Sequence, residues 1–127
     1  MTTFTAHPCH GGFRGRLRVP GDKSVSHRAL LLAARAGGRS RLTGLSNGED
    51  VLCTLRAMEQ FGAGISRGPD GSLTVDGGPD RLTEPESLID VGNSGTAIRL
   101  LAGWATGVEG LTVLAGDASI ARRPMAA

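Results

Sequence analysis

The chain has a single lysine, no tyrosine, one tryptophan and two cysteines in 127 residues, and each scarcity narrows what it does. Three Phe and one Trp provide no run of stacking platforms for bases, and the basic residues are scattered. The sequence pI near 8.9 therefore does not read as nucleic-acid binding. Arg14, Arg16 and Arg18 alternate with Gly15 and Leu17, which is the pattern of an exposed strand face. Cys9 and Cys53 form no C-x-x-C and read as free thiols of a reducing compartment. The longest apolar run is the six residues of 29–34, too short to span a membrane. Residues 1–7 have neither a basic n-region nor an apolar h-region, so the expected location is the cytoplasm, with no membrane partner. His7, Cys9 and His10 have no fourth ligand at suitable spacing, so no metal site is expected.

With 39% hydrophobic residues, 20% charged and a net charge of +2, the chain suits one globular domain. Its lone lysine lies in Pro20-Gly21-Asp22-Lys23-Ser24-Val25-Ser26-His27-Arg28, directly before the apolar run. Thirteen other basic residues are all Arg, so a compact, rotatable ammonium is singled out here. The run 29–34 is made of good helix formers, and Gly37-Gly38 supplies a stop. Ser24 or Ser26 is the expected cap. In a helix starting near Ser24, residues Ser24, His27 and Arg28 share one face beside the positive helix end. A phosphate or carboxylate would meet backbone N–H groups, a hydroxyl, an ammonium and a guanidinium together. From these residues alone, a capped and charged surface helix stays equally open. A Walker A loop is excluded, since five residues separate Gly15 from Gly21 and Asp22 intervenes before Lys23.

Further along, a strand is expected over 39–45, a turn at Asn47-Gly48 and a helix over 49–61 with Val51, Leu55 and Met58 as its core stripe. Residues 65–67 and 72–75 read as a hairpin. The order is strand, helix, strand, helix, strand, strand. After a Gly/Pro-rich link over 76–85, a strand at 87–91 leads to Gly92-Asn93-Ser94-Gly95-Thr96. That loop opens a helix carrying Ile98, Arg99, Leu100, Leu101 and Trp104. Small residues there let the backbone approach a ligand, although such a loop by itself reads as structural. The segments around Arg28 and Arg99, 71 residues apart, resemble each other, as do Leu42-Thr43-Gly44-Leu45 and Leu111-Thr112-Val113-Leu114. The repeat points to copies of one α/β unit aiming helix starts at a shared anion.

Pro20-Gly21-Asp22-Lys23-Ser24-Val25-Ser26-His27-Arg28-Ala29-Leu30, Gly92-Asn93-Ser94-Gly95-Thr96-Ala97-Ile98-Arg99-Leu100-Leu101 and Gly116-Asp117-Ala118-Ser119-Ile120-Ala121-Arg122-Arg123-Pro124-Met125 resemble three successive signatures of the 5-enolpyruvylshikimate-3-phosphate synthase family. The resemblance implies an α/β (α+β) fold of repeated βαβαββ units, incomplete in this chain. Residues 1–19 would be a leading strand packing with a second domain, 20–82 a first unit and 83–127 part of a second. It implies transfer of an enolpyruvyl group from phosphoenolpyruvate to the 5-hydroxyl of shikimate 3-phosphate, with release of phosphate and no cofactor.

By motif position, Lys23 would touch both substrates and is the candidate catalytic residue. Ser24 and Arg28 would hold shikimate 3-phosphate, and Gly95 and Arg123 phosphoenolpyruvate. Asn93, Thr96 and Arg99 would shape the same wall. Gly95 would leave room for glyphosate-like inhibitors. Asp50, which with Glu49 suits a helix start, matches a recurrent acidic position of the family and is assigned no catalytic role. The family enzyme is a much longer chain of two domains, so this chain is expected to be inactive alone and to self-associate through exposed unit faces. The related enzyme acting on a UDP-sugar lacks the Lys-Ser-x-Ser-His-Arg motif. The alternative from another class is a non-catalytic anion-binding or interaction module.

Overall fold

A computed structural model describes residues 2–8 and 10–125; Cys9, and with it the grouping of His7, Cys9 and His10, lies outside the described residues. The first helix, α1 (Lys23–Arg35), is capped by Asp22, whose carboxylate accepts the Val25 N–H at 2.7 Å. A cap must stand outside the helix in extended backbone, as Asp22 does at φ −65° and ψ 131°, whereas Ser24 and Ser26 lie inside the first turn. Ser26 serves another purpose: its hydroxyl donates to the Asp22 carbonyl at 2.7 Å and accepts from the Ser46 N–H at 2.9 Å. This ties the start of α1 to the loop before α2 (Glu49–Gln60). The backbones meet so closely there that a Cβ on Gly21 would overlap Gly44.

The strands β1 (Gly38–Leu42), β2 (Gly64–Arg67) and β3 (Leu73–Gly77) form an antiparallel sheet in the order β1-β3-β2. Leu73, Val75 and Gly77 face inward, with Gly77 against the carbonyls at the end of α1. Thr74 and Asp76 face outward, and Arg39 pairs with Asp76 at 2.8 Å. The expected hairpin is present. β1 stops at Leu42 and not at 45, because its register on β3 ends at the pair Leu42 and Leu73 and Gly44 turns the chain at φ +66°.

In the second part, β4 (Ile89–Asp90) lies parallel to β5 (Leu114–Ala115), joined through α3 (Gly95–Ala105) and followed by α4 (Ala118–Ala121). The strand expected at 87–91 is shortened to the two residues its partner can pair. Residues 12–22 carry no strand; Arg14 and Leu17 are both exposed, since a strand needs a neighbouring ladder to satisfy its backbone. Segment 20–82 therefore runs helix, strand, helix, strand, strand, without the opening strand expected of it. The whole is a mixed α/β fold.

Three of the helices run side by side in one direction. At one end, Lys23 of α1 bonds Asp50 of α2, and both line a cleft with Gly95 of α3. At the other end, Trp104 of α3 meets Phe61, which closes α2, edge to face at 4.9 Å between centroids. The Trp104 indole N–H donates to the Leu31 carbonyl at 3.1 Å. Arg35 at the end of α1 lies over the same ring at 5.0 Å and donates to the carbonyls of Gly107 and Trp104. Around this knot Leu30, Val51, Leu55, Met58, Phe61 and Leu101 form one buried core. Phe61 is fully buried, so Phe61→Ala is expected to lower unfolding stability by about 3–5 kcal/mol. Urea denaturation followed by the fluorescence of the single Trp measures it.

Candidate anion site at three helix starts

The parallel helices bring their N-termini to one cleft of about 700 Å³. Lys23 is the first residue of α1, Asp50 the second of α2, and Gly95 and Thr96 the first two of α3. Each helix start carries unpaired N–H groups and the positive end of its dipole, so three such ends reinforce one another on an anion. α3 is held by Ser94, a buried cap accepting the Ala97 N–H at 3.1 Å.

The Lys23 ammonium donates to Asp50 at 2.8 Å. With side chains 51% and 33% exposed, the pair adds little stability. Its effect is local: Asp50 holds the ammonium at the mouth of the cleft.

The other cations come from α3 and the segment after α4. Arg99 donates to the carbonyls of Gly95 and Pro124, each at 3.1 Å, and Arg123 donates to the Asn93 side-chain oxygen at 3.2 Å and to Ser119 Oγ at 3.4 Å. Arg123 arrives there because the chain before α4 docks on the Gly92 loop. The Asp117 N–H donates to the Gly92 carbonyl at 2.9 Å, and the Asp117 carboxylate caps α4.

The space beside Gly95, expected to be open, is filled by Arg123: a Cβ on Gly95 would lie 2.5 Å from its Nη1. The clash is with the end of a flexible side chain. Gly95→Ala is therefore expected to leave stability within about 1 kcal/mol while moving the Arg123 guanidinium. A thermal melt and the arginine Nε–H signals of an NMR spectrum check the two halves.

Of the residues singled out by sequence, Lys23, Asn93, Gly95, Thr96, Arg99 and Arg123 line the cleft together. Ser24 and Arg28 are exposed on α1 and are not among its lining residues. His27 does not share their face; it is fully buried and shares a hydrogen bond of 2.7 Å with Thr54 of α2 through Nδ1. Asp50, read from sequence as a carboxylate suited to a helix start and as a recurrent acidic position without a catalytic role, belongs to the cleft. The available signal was the match of Asp50 to a recurrent acidic position of the family, but nothing in the sequence spacing shows that it meets Lys23.

Burial, the largest influence, holds His27 below its ordinary value of 6.5; the Asp50 charge opposes this and the Lys23 charge adds to it. The unfolded chain thus takes up the proton first, so stability is full above about pH 6.5 and falls as pH drops toward the folded-state value. The unfolding midpoint is expected to decline from pH 7 to pH 5, with a shallower decline in His27→Gln, as measured by urea titration at each pH.

Fold and cleft together define a mixed α/β protein with a largely cationic pocket at converging helix starts. The sequence model of the family "EPSP synthase (3-phosphoshikimate 1-carboxyvinyltransferase)" matches residues 10–127. The chain belongs to this family and corresponds to its N-terminal portion. Among its relatives, the 3-phosphoshikimate 1-carboxyvinyltransferase of Anaeromyxobacter sp. (strain K) is 51% identical over 115 residues, covering 91% of this chain and 26% of the relative. That of Gluconobacter oxydans (strain 621H) is 50% identical over 123 residues, covering 97% and 27%. The solved structure of EPSP synthase from Acinetobacter baumannii superposes with a TM-score of 0.81 at 44% identity, covering 87% of this chain and 26% of that one. The chain thus spans about a quarter of the length of these relatives.

Proposed function

We propose that this chain supplies the cationic wall of a site that transfers an enolpyruvyl group from phosphoenolpyruvate to the 5-hydroxyl of shikimate 3-phosphate, releasing phosphate. The observation that carries the proposal is the meeting of Lys23, Asp50, Gly95 and Thr96, from three helix starts, with Arg123 in one cleft. Both substrates are polyanions, and the reaction passes through addition and elimination with charge developing on oxygen. Fixed cations stabilise that charge without reorganising.

In this reading Lys23 leaves Asp50 to touch both substrates and acts in catalysis. Arg123, with Gly95 behind it, receives phosphoenolpyruvate, and Asn93, Thr96 and Arg99 shape the wall. Ser24 and Arg28, on the outer side of α1, hold shikimate 3-phosphate from the rim. The parallel pairing of β4 and β5 around α3 supports reading 83–127 as the start of a second βαβαββ unit after a first at 20–82. Residues 1–19 then belong with a second domain. A cytoplasmic location goes with this reading; among the described residues no helix is long and apolar enough to cross a membrane.

Calorimetry with shikimate 3-phosphate tests it. Lys23→Ala removes a charge-assisted contact worth about 1.5–3 kcal/mol, so affinity is expected to fall roughly 10- to 150-fold with the thermal melt unchanged. Equal affinity in the variant, or no binding to the unsubstituted chain, contradicts the proposal. The second reading is an anion-binding or interaction module without turnover, since the same cations at the cleft would hold an anion whether or not a reaction follows. A phosphate-release assay on the same protein separates the two.

A further inference from the structure

Lys23 has a long, flexible stem, and its partner Asp50 is partly exposed, so neither side chain alone holds the ammonium in place. Its position depends on how α1 sits along α2. Two hydrogen bonds cross that seam in the same register. Lys23 bonds Asp50 at the mouth, and one turn below it His27 bonds Thr54, each pair 27 residues apart in the chain. The lower bond is fully enclosed, with His27 0% and Thr54 1% exposed.

An imidazole is a costly choice for such a place. Its Nε2 is buried with no hydrogen-bond partner, and an unpaired buried polar atom is unfavourable. A leucine would fill the volume without that cost. What the imidazole adds is direction, because a helix shift of one residue moves a side chain by about 1.5 Å, enough to break a bond of 2.7 Å. The apolar side chains that α1 and α2 add to the common core, among them Leu30 and Ala34 of α1 and Ala57 and Met58 of α2, interact far less directionally.

We propose that the buried hydrogen bond between His27 and Thr54 is a register lock, and that these two side chains are positioning residues for Lys23. The lock sets the α1 start against the α2 start and so places the ammonium at the cleft. The Ser26 hydroxyl, held by Asp22 and Ser46, ties the connecting loop but leaves the seam itself to His27 and Thr54. The proposal rests on the anion-site reading only for its consequence in binding, and its main readout requires no ligand.

Because Lys23 is the only lysine, a ¹H–¹⁵N spectrum of side-chain ammonium groups of the 127-residue chain reports on it alone. Thr54→Val keeps the shape and removes the hydroxyl, whereas Thr54→Ser keeps the hydroxyl. The expected result is an ammonium signal with a contact to Asp50 in the unsubstituted chain and in Thr54→Ser. In Thr54→Val that contact is lost while the amide spectrum stays dispersed. Shikimate 3-phosphate affinity then falls at least tenfold in Thr54→Val and less than twofold in Thr54→Ser.

An unchanged ammonium signal in Thr54→Val overturns the proposal, as does its loss in both variants. A Thr54→Val chain that no longer folds while Thr54→Ser does would also overturn it, since the bond would then support the whole fold. If the unsubstituted chain does not bind shikimate 3-phosphate, the function reading fails and the ammonium result still decides the lock.

Discussion

Everything at the cleft depends on three helices lying side by side in the same direction. Parallel neighbours align their dipoles unfavourably, gathering positive potential at one end and negative at the other. The structure offsets both ends with side chains. Arg35 lies against the carbonyls of Trp104 and Gly107 where the helices finish, and Asp50 stands among the helix starts beside Lys23. The cationic end is only partly compensated, because Lys23, Arg99 and Arg123 add charge there. The packing therefore leaves positive potential at the cleft, which is the physical ground for the proposed anion site.

Packing also decides which parts of the site are firm. The start of α1 is pinned where Gly21 touches the loop at Gly44 and where Ser26 bridges Asp22 and Ser46. The Gly92 turn is pinned by Gly116, which approaches its carbonyl too closely for any side chain. The backbone donors are therefore preorganised, which is the condition for electrostatic stabilisation to act without reorganisation. The cations themselves are long side chains held by partners that a ligand can replace. Asp50 holds Lys23, and Asn93 and Ser119 hold Arg123.

Much of this was legible in the chain. The helices announced themselves by apolar periodicity and by small residues at their ends, and the cleft cations by their place at those ends. What remained hidden was set by contacts between distant segments. Asp22 caps α1 because the helix begins at Lys23 and takes Ser26 into its first turn, where its hydroxyl serves Ser46, a residue 20 positions away. His27 shares a helical face with Arg28 on a wheel drawn from Ser24, yet α2 packs against α1 so as to bury it. Asp50 looked like a dipole complement until α1 and α2 proved parallel. The strands came out short or absent where pairing partners were short or absent: β4 has two paired residues, and 12–22 has none. The family signatures identified residues that meet in space, but their register relative to one another is a property of the seam between helices.

The most direct test is a two-dimensional amide NMR titration with shikimate 3-phosphate, read at the helix starts. The amides of Lys23, Asp50, Gly95 and Thr96 are expected to shift together with one dissociation constant, since all four residues line one cleft. Shifts confined to a single helix start, shifts elsewhere on the surface, or none at all would contradict a shared anion site.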